Sequence, residues 1–593
     1  MAREPAVRER NPWLPLFVLA IATLAGSLVA LAIVLFSVIS DGELRGAAAL
    51  PTVPTDKPPP PTASAGLTYS GQLPAGGESL GLVAVGVGKT PDIEFVPGSG
   101  DSAVPLGYFV PVAALDAGVD SLTRDAFERM WKRETVDWGD LAGIPGPIQL
   151  AVVTPDLATI QPFIGDTSLA EPAVTRFESY DALRGAMTVG SGITAIVPIG
   201  ELRPNLVAIA LDGVDIARGL GDATAWPLKQ EAQVLARSKH GEGAIEMIRE
   251  AVSAKLPVIT RIVATGDVLQ SRCSLAAIEA TGDWGAALRG PVGEYLAGAD
   301  LALSSLDGSI QGLGKPYGCI VMEYPNLTSP PEVIEALTLA GIDEMTLATN
   351  HAFDCGEGSC GSQALIESMT RLNAAGIKTV GGGNNLEEAL APAIFEVHGL
   401  KIGVLGFDDI AAEYLQATED SIGTAPLDDS YEDEQADPPA EPAFYKPAEM
   451  LGVTRLQERV RALKAQVDIV VVQIQSGTED THAPSPRSIK GLRAAAEAGA
   501  DLVVGNQAHW VQAIEVRDDV FIAYALGNFI FDQRWTPEHT QGYLLEATFH
   551  DKRLATVRMV PYQIEDRYKP TFVAGATRAK VLGDVIEASL ALP

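Results

Sequence analysis

The stretch LATNHAFDCGEG, residues 347–358, ends an apolar run with an amide, an imidazole and a carboxylate at Asn350, His351 and Asp354. An amide oxygen can ligate a metal and an imidazole can act as general acid or hold a phosphate. A carboxylate three residues on can orient the ring. Comparable groups follow other apolar runs. VITRIVAT leads to Gly266 and Asp267, ADLAL to Ser304, Ser305 and Asp307, DIVVVQI to Gln475, Gly477 and Glu479, and ADLVVG to Asn506, Gln507, His509 and Gln512. Such groups converging from several strand ends suit a hard cation and a phosphate. Capping of the next helix is the competing role for polar residues here, and it fits Ser359 and Ser362 better.

To share one edge, these positions need strands that run the same way, each returned by a helix. From about residue 257 the pattern supplies this. VTRLQERVRALKAQV places Leu456, Val460, Leu463 and Val467 on one helical face, and QALIESMTRLNAAGI does the same with Leu365, Met369 and Leu372. The runs VDIVVVQIQ and IKTVGGG follow them. Such βαβ units predict buried parallel strands with ligands beyond their carboxyl ends. Residues 67 to about 250 alternate strands such as LGYFVPVAAL and ITAIVPIGEL with helices. In LTRDAFERMW, Thr123 is an N-cap candidate and Phe127, Met130 and Trp131 form one buried face, so a further α/β domain is expected. GSGDS, residues 98–102, is either an oxyanion cradle or a plain turn.

A chain of 593 residues exceeds one hydrophobic core. A net charge of −33 argues against nucleic acid as a partner. Leu14 to Ile39 carry no charge, and at about 1.5 Å per residue they exceed a hydrocarbon core of about 30 Å. Arg3, Arg8 and Arg10 precede the run, while Asp41 and Glu43 follow it. The expectation is a cytoplasmic tail (1–12), a transmembrane helix (13–40) and an extracytoplasmic remainder in the cell membrane. A cleaved signal peptide is the competing reading, but the run is longer than the usual apolar region. Residues 41–66, with four consecutive prolines, read as a semi-rigid linker, and the acidic residues 428–442 as a solvated insertion or a cation-attracting flap. Disulfides are allowed outside the cell. Of three pairings, Cys355 with Cys360 and Cys273 with Cys319 is favoured; a zinc site of Cys355, Cys360 and His351 is the rival.

Five stretches resemble the bacterial capsule-synthesis proteins of the poly-γ-glutamate type, the CapA family. They are TGDVLQSR (265–272), the run from NHAFDCGEG to LAP (350–392), GLKIGVLGFDD (399–409), AGADLVVGNQAHWVQAIE (498–515) and IAYALGNFIFDQ (522–533). The resemblance implies a metallophosphoesterase-like α/β/β/α sandwich over residues 257–590. It implies Asp267, Asn350, His509, Asp307, Gln475 and Gln507 as the metal-site positions, for manganese, zinc or iron, with His351 and Asp354 catalytic. Gln512 matches a family glutamine, and Asn528 an asparagine that more naturally fixes a turn. Gln475 and Gln507 stand where the family carries histidines, and Ser305, Leu306 and Asp307 replace its Asn-Leu-Glu. Neutral amides bind such metals more weakly than imidazole does, which leaves a two-metal centre in question. His482 is the one nearby substitute, or simply a loop histidine. DSLTRDAFERMWKRETVDWGDLAG (120–143) and IVPIGELRPNLVAIALDGV (196–214) resemble solute-binding proteins of the phosphate-binding type, so residues 67–250 are expected to form a smaller domain of that kind. Three functions follow: a CapA-like protein of capsule or polymer assembly, an active metal-dependent phosphoesterase, or a silent binding protein. The expected partners are an extracellular anionic polymer or a phosphate-containing small molecule, and a membrane synthase complex.

Overall fold

The computed structural model describes residues 66–74, 80–86, 89–100, 102–165, 167–170, 172–319, 326–433 and 449–593. The expected tail, transmembrane helix and nearly all of the proline-rich linker lie outside these residues, as do Asp101 and most of the acidic insertion. No helix among the described residues is long and apolar enough to cross a membrane.

The second half is a mixed α/β assembly of four layers. One eight-stranded sheet runs in the order Lys378–Val380, Glu344–Thr346, Leu301–Leu306, Ile259–Val268, Gln541–His550, Arg553–Glu565 and Lys569–Phe572, with Asn528–Ile530 paired to Ile259–Val268. A six-stranded sheet runs Ala393–Val397, Leu400–Asp408, Ile469–Gln475, Leu502–Asn506, Val520–Ala523 and Ile514–Arg517. Because side chains alternate along a strand, each sheet has two apolar faces to cover. Ile262, Ala264, Leu301 and Leu303 of one sheet share a core with Ile402, Val404, Val471 and Val504 of the other. The out-of-phase Val263, Ala302 and Met345 pack against Leu275, Leu296, Leu365 and Leu372 from helices on the outside. Val470, Val472 and Val503 do the same with Leu456, Val460, Leu463 and Leu492. The helical stripes therefore meet the strands' outer faces as their spacing requires.

Lys378–Val380, Glu344–Thr346, Leu301–Leu306 and Ile259–Val268 are mutually parallel, as are Leu400–Asp408, Ile469–Gln475, Leu502–Asn506 and Val520–Ala523, so within each set the carboxyl ends share an edge. Asp267 lies opposite Ser305, and Ser305 opposite Thr346. In the second sheet Asp408 lies opposite Gln475, and Gln475 opposite Asn506.

Residues 68 to 236 supply a nine-stranded mixed sheet. Thr123 caps its helix by accepting from Ala126 N at 3.2 Å, and Phe127, Met130 and Trp131 are buried. A charged junction joins this half to the other. Glu546 accepts from Arg218, from Tyr295 Oη at 2.5 Å, and from Arg261 Nε and Nη2 at 3.2 and 3.1 Å.

Both favoured disulfides form, Cys273 with Cys319 and Cys355 with Cys360, which removes the thiolates a zinc site would need. Ser362 takes the N-cap position of Gln363–Ala374, but its hydroxyl caps nothing because its backbone is already helical.

Candidate functional site at the strand ends

Asp267 closes its strand through a close backbone approach. A Cβ on Gly266 would lie 1.7 Å from the Gly527 carbonyl oxygen, so only glycine lets the 528–530 strand sit beside Asp267. Asp267 Oδ2 accepts from Gln507 N at 3.3 Å, while Oδ1 is buried with no partner. Asp307, just past Leu301–Leu306, accepts from Thr349 Oγ1 at 2.7 Å through Oδ1 and leaves Oδ2 equally unmatched. Burial and the neighbouring Asp307 charge push the Asp267 carboxyl up to about 7, against the pull of His509.

His509 stands between the two carboxylates, Nδ1 3.6 Å from Asp267 Oδ2 and Nε2 4.0 Å from Asp307 Oδ2. It is fixed by Asn528 Oδ1 at 2.9 Å from Nδ1 and packs against Phe531. Gln507 and His509 both have positive φ, 96° and 57°, a conformation that costs about 1–3 kcal/mol per non-glycine residue and collects at functional sites. Burial opposes the His509 imidazolium, but Glu479, Asp307 and Asp267 outweigh it and raise the pKa.

His351 and Asp354 form a pair at 2.8 Å through Nδ1 and Oδ2. Asp354 is itself held by Leu327 N at 2.5 Å, and Cys355, next in the chain, is tied to Cys360. Burial works against charging His351, yet the Asp354 carboxylate and its hydrogen bond push it up to about 9, so the ring is cationic at neutral pH. Asn350 Oδ1 accepts from Thr349 Oγ1 at 3.2 Å, which links Asn350 to Asp307 through one hydroxyl.

The two glutamines are bound to each other. Gln475 Nε2 donates to Gln507 Oε1 at 2.9 Å, Gln475 Oε1 accepts from Ser305 Oγ at 3.5 Å, and Gln507 Nε2 donates to Glu479 Oε1 at 3.2 Å. Both amide oxygens are thereby occupied. His482 does not turn into the site, because Nδ1 is bound to Val511 O at 2.6 Å and Nε2 lies 3.8 Å from Asp584. Gln512 braces that loop through Thr481 O and Ala483 O.

The edge thus gathers Asp267, Asp307 and His509 on one side, and His351 with Asp354 beside Asn350 on another, connected through Thr349. Thr349 carries no signal in the sequence, whereas Asn506 stands among the strand-end groups collected there. Asn506 Oδ1 is a third buried oxygen without a partner, at a strand end next to Gln507. Among the described residues no three His, Cys, Asp or Glu side chains form a cluster poised to hold a metal. The unmatched donors are two carboxylates and an amide, a set that fits an oxygen-preferring cation such as magnesium or manganese and fits zinc poorly.

Residues 261–533 match the family described as bacterial capsule synthesis protein PGA_cap. The chain is 27% identical over 241 residues to the capsule biosynthesis protein CapA of Bacillus anthracis, covering 41% of this chain and 52% of that one. It is 29% identical over 212 residues to the PGA biosynthesis protein CapA of Bacillus subtilis, covering 36% and 48%. The chain spans about half the length of these two relatives. A phosphate transport receptor from Vibrio cholerae is similar over 32% of this chain and 94% of its own, at 14% identity and a TM-score of 0.25, too slight a likeness to carry a fold or a ligand across.

Proposed function

We propose, for a chain whose residues 261–533 match the model of bacterial capsule synthesis protein PGA_cap, that it serves assembly or export of a capsule or poly-γ-glutamate-type polymer from the outer side of the cell membrane. In this reading residues 13–40 anchor it, residues 67–250 form a solute-binding-like domain, and residues 257–590 form a metallophosphoesterase-type sandwich. The strand-end site acts in binding, and its two-metal chemistry is lost. The observation that carries this is the Gln475–Gln507 hydrogen bond, which stands where the resembled family has histidines and engages Gln507 Oε1, while Gln475 Oε1 accepts from Ser305. Asp267 and Asp307, with Asn506, would hold a single hard cation, which would supply a positive charge for a carboxylate or phosphate of the polymer. The His351 ring adds positive charge at the same edge.

Deleting the gene should lower cell-surface anionic polymer several-fold, and the full chain should restore it. Unchanged surface polymer sinks the reading.

A second reading, a metal-dependent phosphoesterase, is favoured by the His351–Asp354 pair alone. His351 would protonate a leaving group and Asp354 would orient it. Asp354→Asn should then move the His351 titration from about 9 back towards the ordinary imidazole range and lower turnover of a phosphate ester together with it. Unaltered turnover contradicts that role.

A further inference from the structure

A cleft of about 720 Å³ lies in the first half of the chain, between the end of the Arg124–Trp131 helix and the Leu157–Ile164 helix with the loop after it. Among the described residues, Arg124, Lys132 and Arg133 line it against one carboxylate, Glu128, in a chain that carries 76 acidic residues to 43 basic. Arg124 and Lys132 stand eight residues apart on one helical face, roughly 12 Å along the axis, with Glu128 midway and paired to both at 3.3 and 3.5 Å.

Arg133 occupies a position that the backbone would give to glycine. Arg133 N donates to Met130 O and Glu134 N to Arg129 O, a Schellman ending that puts Arg133 at φ 61°. An arginine there opposes the local conformational preference. Its guanidinium reaches across the cleft to the Ser168 carbonyl at 3.4 Å.

The second observation comes from the cleft's inner wall. Trp131 is fully buried and its Nε1–H has no acceptor, although buried donors are nearly always matched. Trp131 also lines the cleft, so the basic helix end is backed by a fully buried indole.

We infer that this cleft binds an acidic polymer through spaced carboxylates, with Arg124, Lys132 and Arg133 as the cationic contacts. The inference rests on the polymer-assembly reading above. Charge complementarity selects the occupant: a protein of net charge −33 repels a polyanion, whereas the described lining of this cleft carries three cations to one carboxylate.

The test is fluorescence anisotropy of a labelled γ-linked glutamate oligomer added to the full chain in detergent. Arg133→Gly should weaken binding at least tenfold while leaving the melting temperature unchanged or higher, because glycine suits φ 61°. Lys132→Glu should weaken it similarly, and Lys552→Glu, an exposed cation elsewhere, should not. Wild-type affinity in Arg133→Gly, no binding by the wild type, or an equal loss in Lys552→Glu each overturns the site. Displacement of the oligomer by equimolar inorganic phosphate overturns the polymer as occupant. Loss of surface polymer on gene deletion together with no oligomer binding removes the cleft and leaves the capsule reading standing. Intact binding with unchanged surface polymer does the reverse.

Discussion

The junction around Glu546 and the cluster around Asp267 are both buried collections of charge, and they differ in how completely those charges are matched. Both Glu546 oxygens are taken by Arg218, Arg261 and Tyr295, and those bonds hold its carboxyl at about 2 despite burial. At Asp267 burial and a second carboxylate dominate, one oxygen of each acid is unmatched, and the carboxyl rises to about 7. A buried charge that is fully paired fixes two halves of a chain together. One left with open valences is arranged for something else to bind.

Breaking the paired side should cost most. Glu546→Ala strips Arg261 of this partner and leaves Arg218 with Asp215 at 3.6 Å, and denaturant unfolding should show a loss of about 3–5 kcal/mol. A loss under 1 kcal/mol would mean the junction is solvated in solution.

The two clusters should also respond to pH with opposite sign. Glu546 titrates lower folded than unfolded, so it contributes about 3 kcal/mol above the ordinary glutamate range, lost as pH falls towards 2. Asp267 titrates higher folded, so its favourable contribution is present below the ordinary aspartate range and is lost as pH rises through about 7. In chelator-treated protein, Asp267→Asn should therefore gain about 2–4 kcal/mol at pH 8 relative to wild type and nothing at pH 3. The same gain at both pH values would show that the shift is not electrostatic.

Restoring the imidazoles probes the open side directly. Gln475→His with Gln507→His should raise manganese or zinc affinity at least tenfold, about 1.4 kcal/mol, by calorimetry. Unchanged affinity would mean the amides were not what limits metal binding. The smallest effect concerns Thr349→Val, which removes one donor from Asp307 and from the Asn350 link. It should cost about 1 kcal/mol of stability, and no loss would show that water takes over the bond.

The strand ends were legible because each apolar run breaks at a polar residue in the same phase, which brings Asp267, Asp307, Gln475 and His509 to one edge. The helices were legible from their stripes. What the sequence could not display are partners set by long-range packing. Arg218 and Glu546 are 328 positions apart, and Asn528, read as a turn former, serves as the acceptor that fixes His509. The Gln475–Gln507 bond likewise needed the register of two strands to be known, since composition alone leaves both amide oxygens free to ligate.

The central proposal is that the acids of this edge hold one hard cation and that no second metal is bound there. Metal titration of the full chain by calorimetry, with phosphate-ester hydrolysis followed in the same samples, tests it most directly. One magnesium or manganese ion per chain, abolished by Asp267→Ala and unaccompanied by hydrolysis, is the predicted result; two ions per chain with turnover would contradict it.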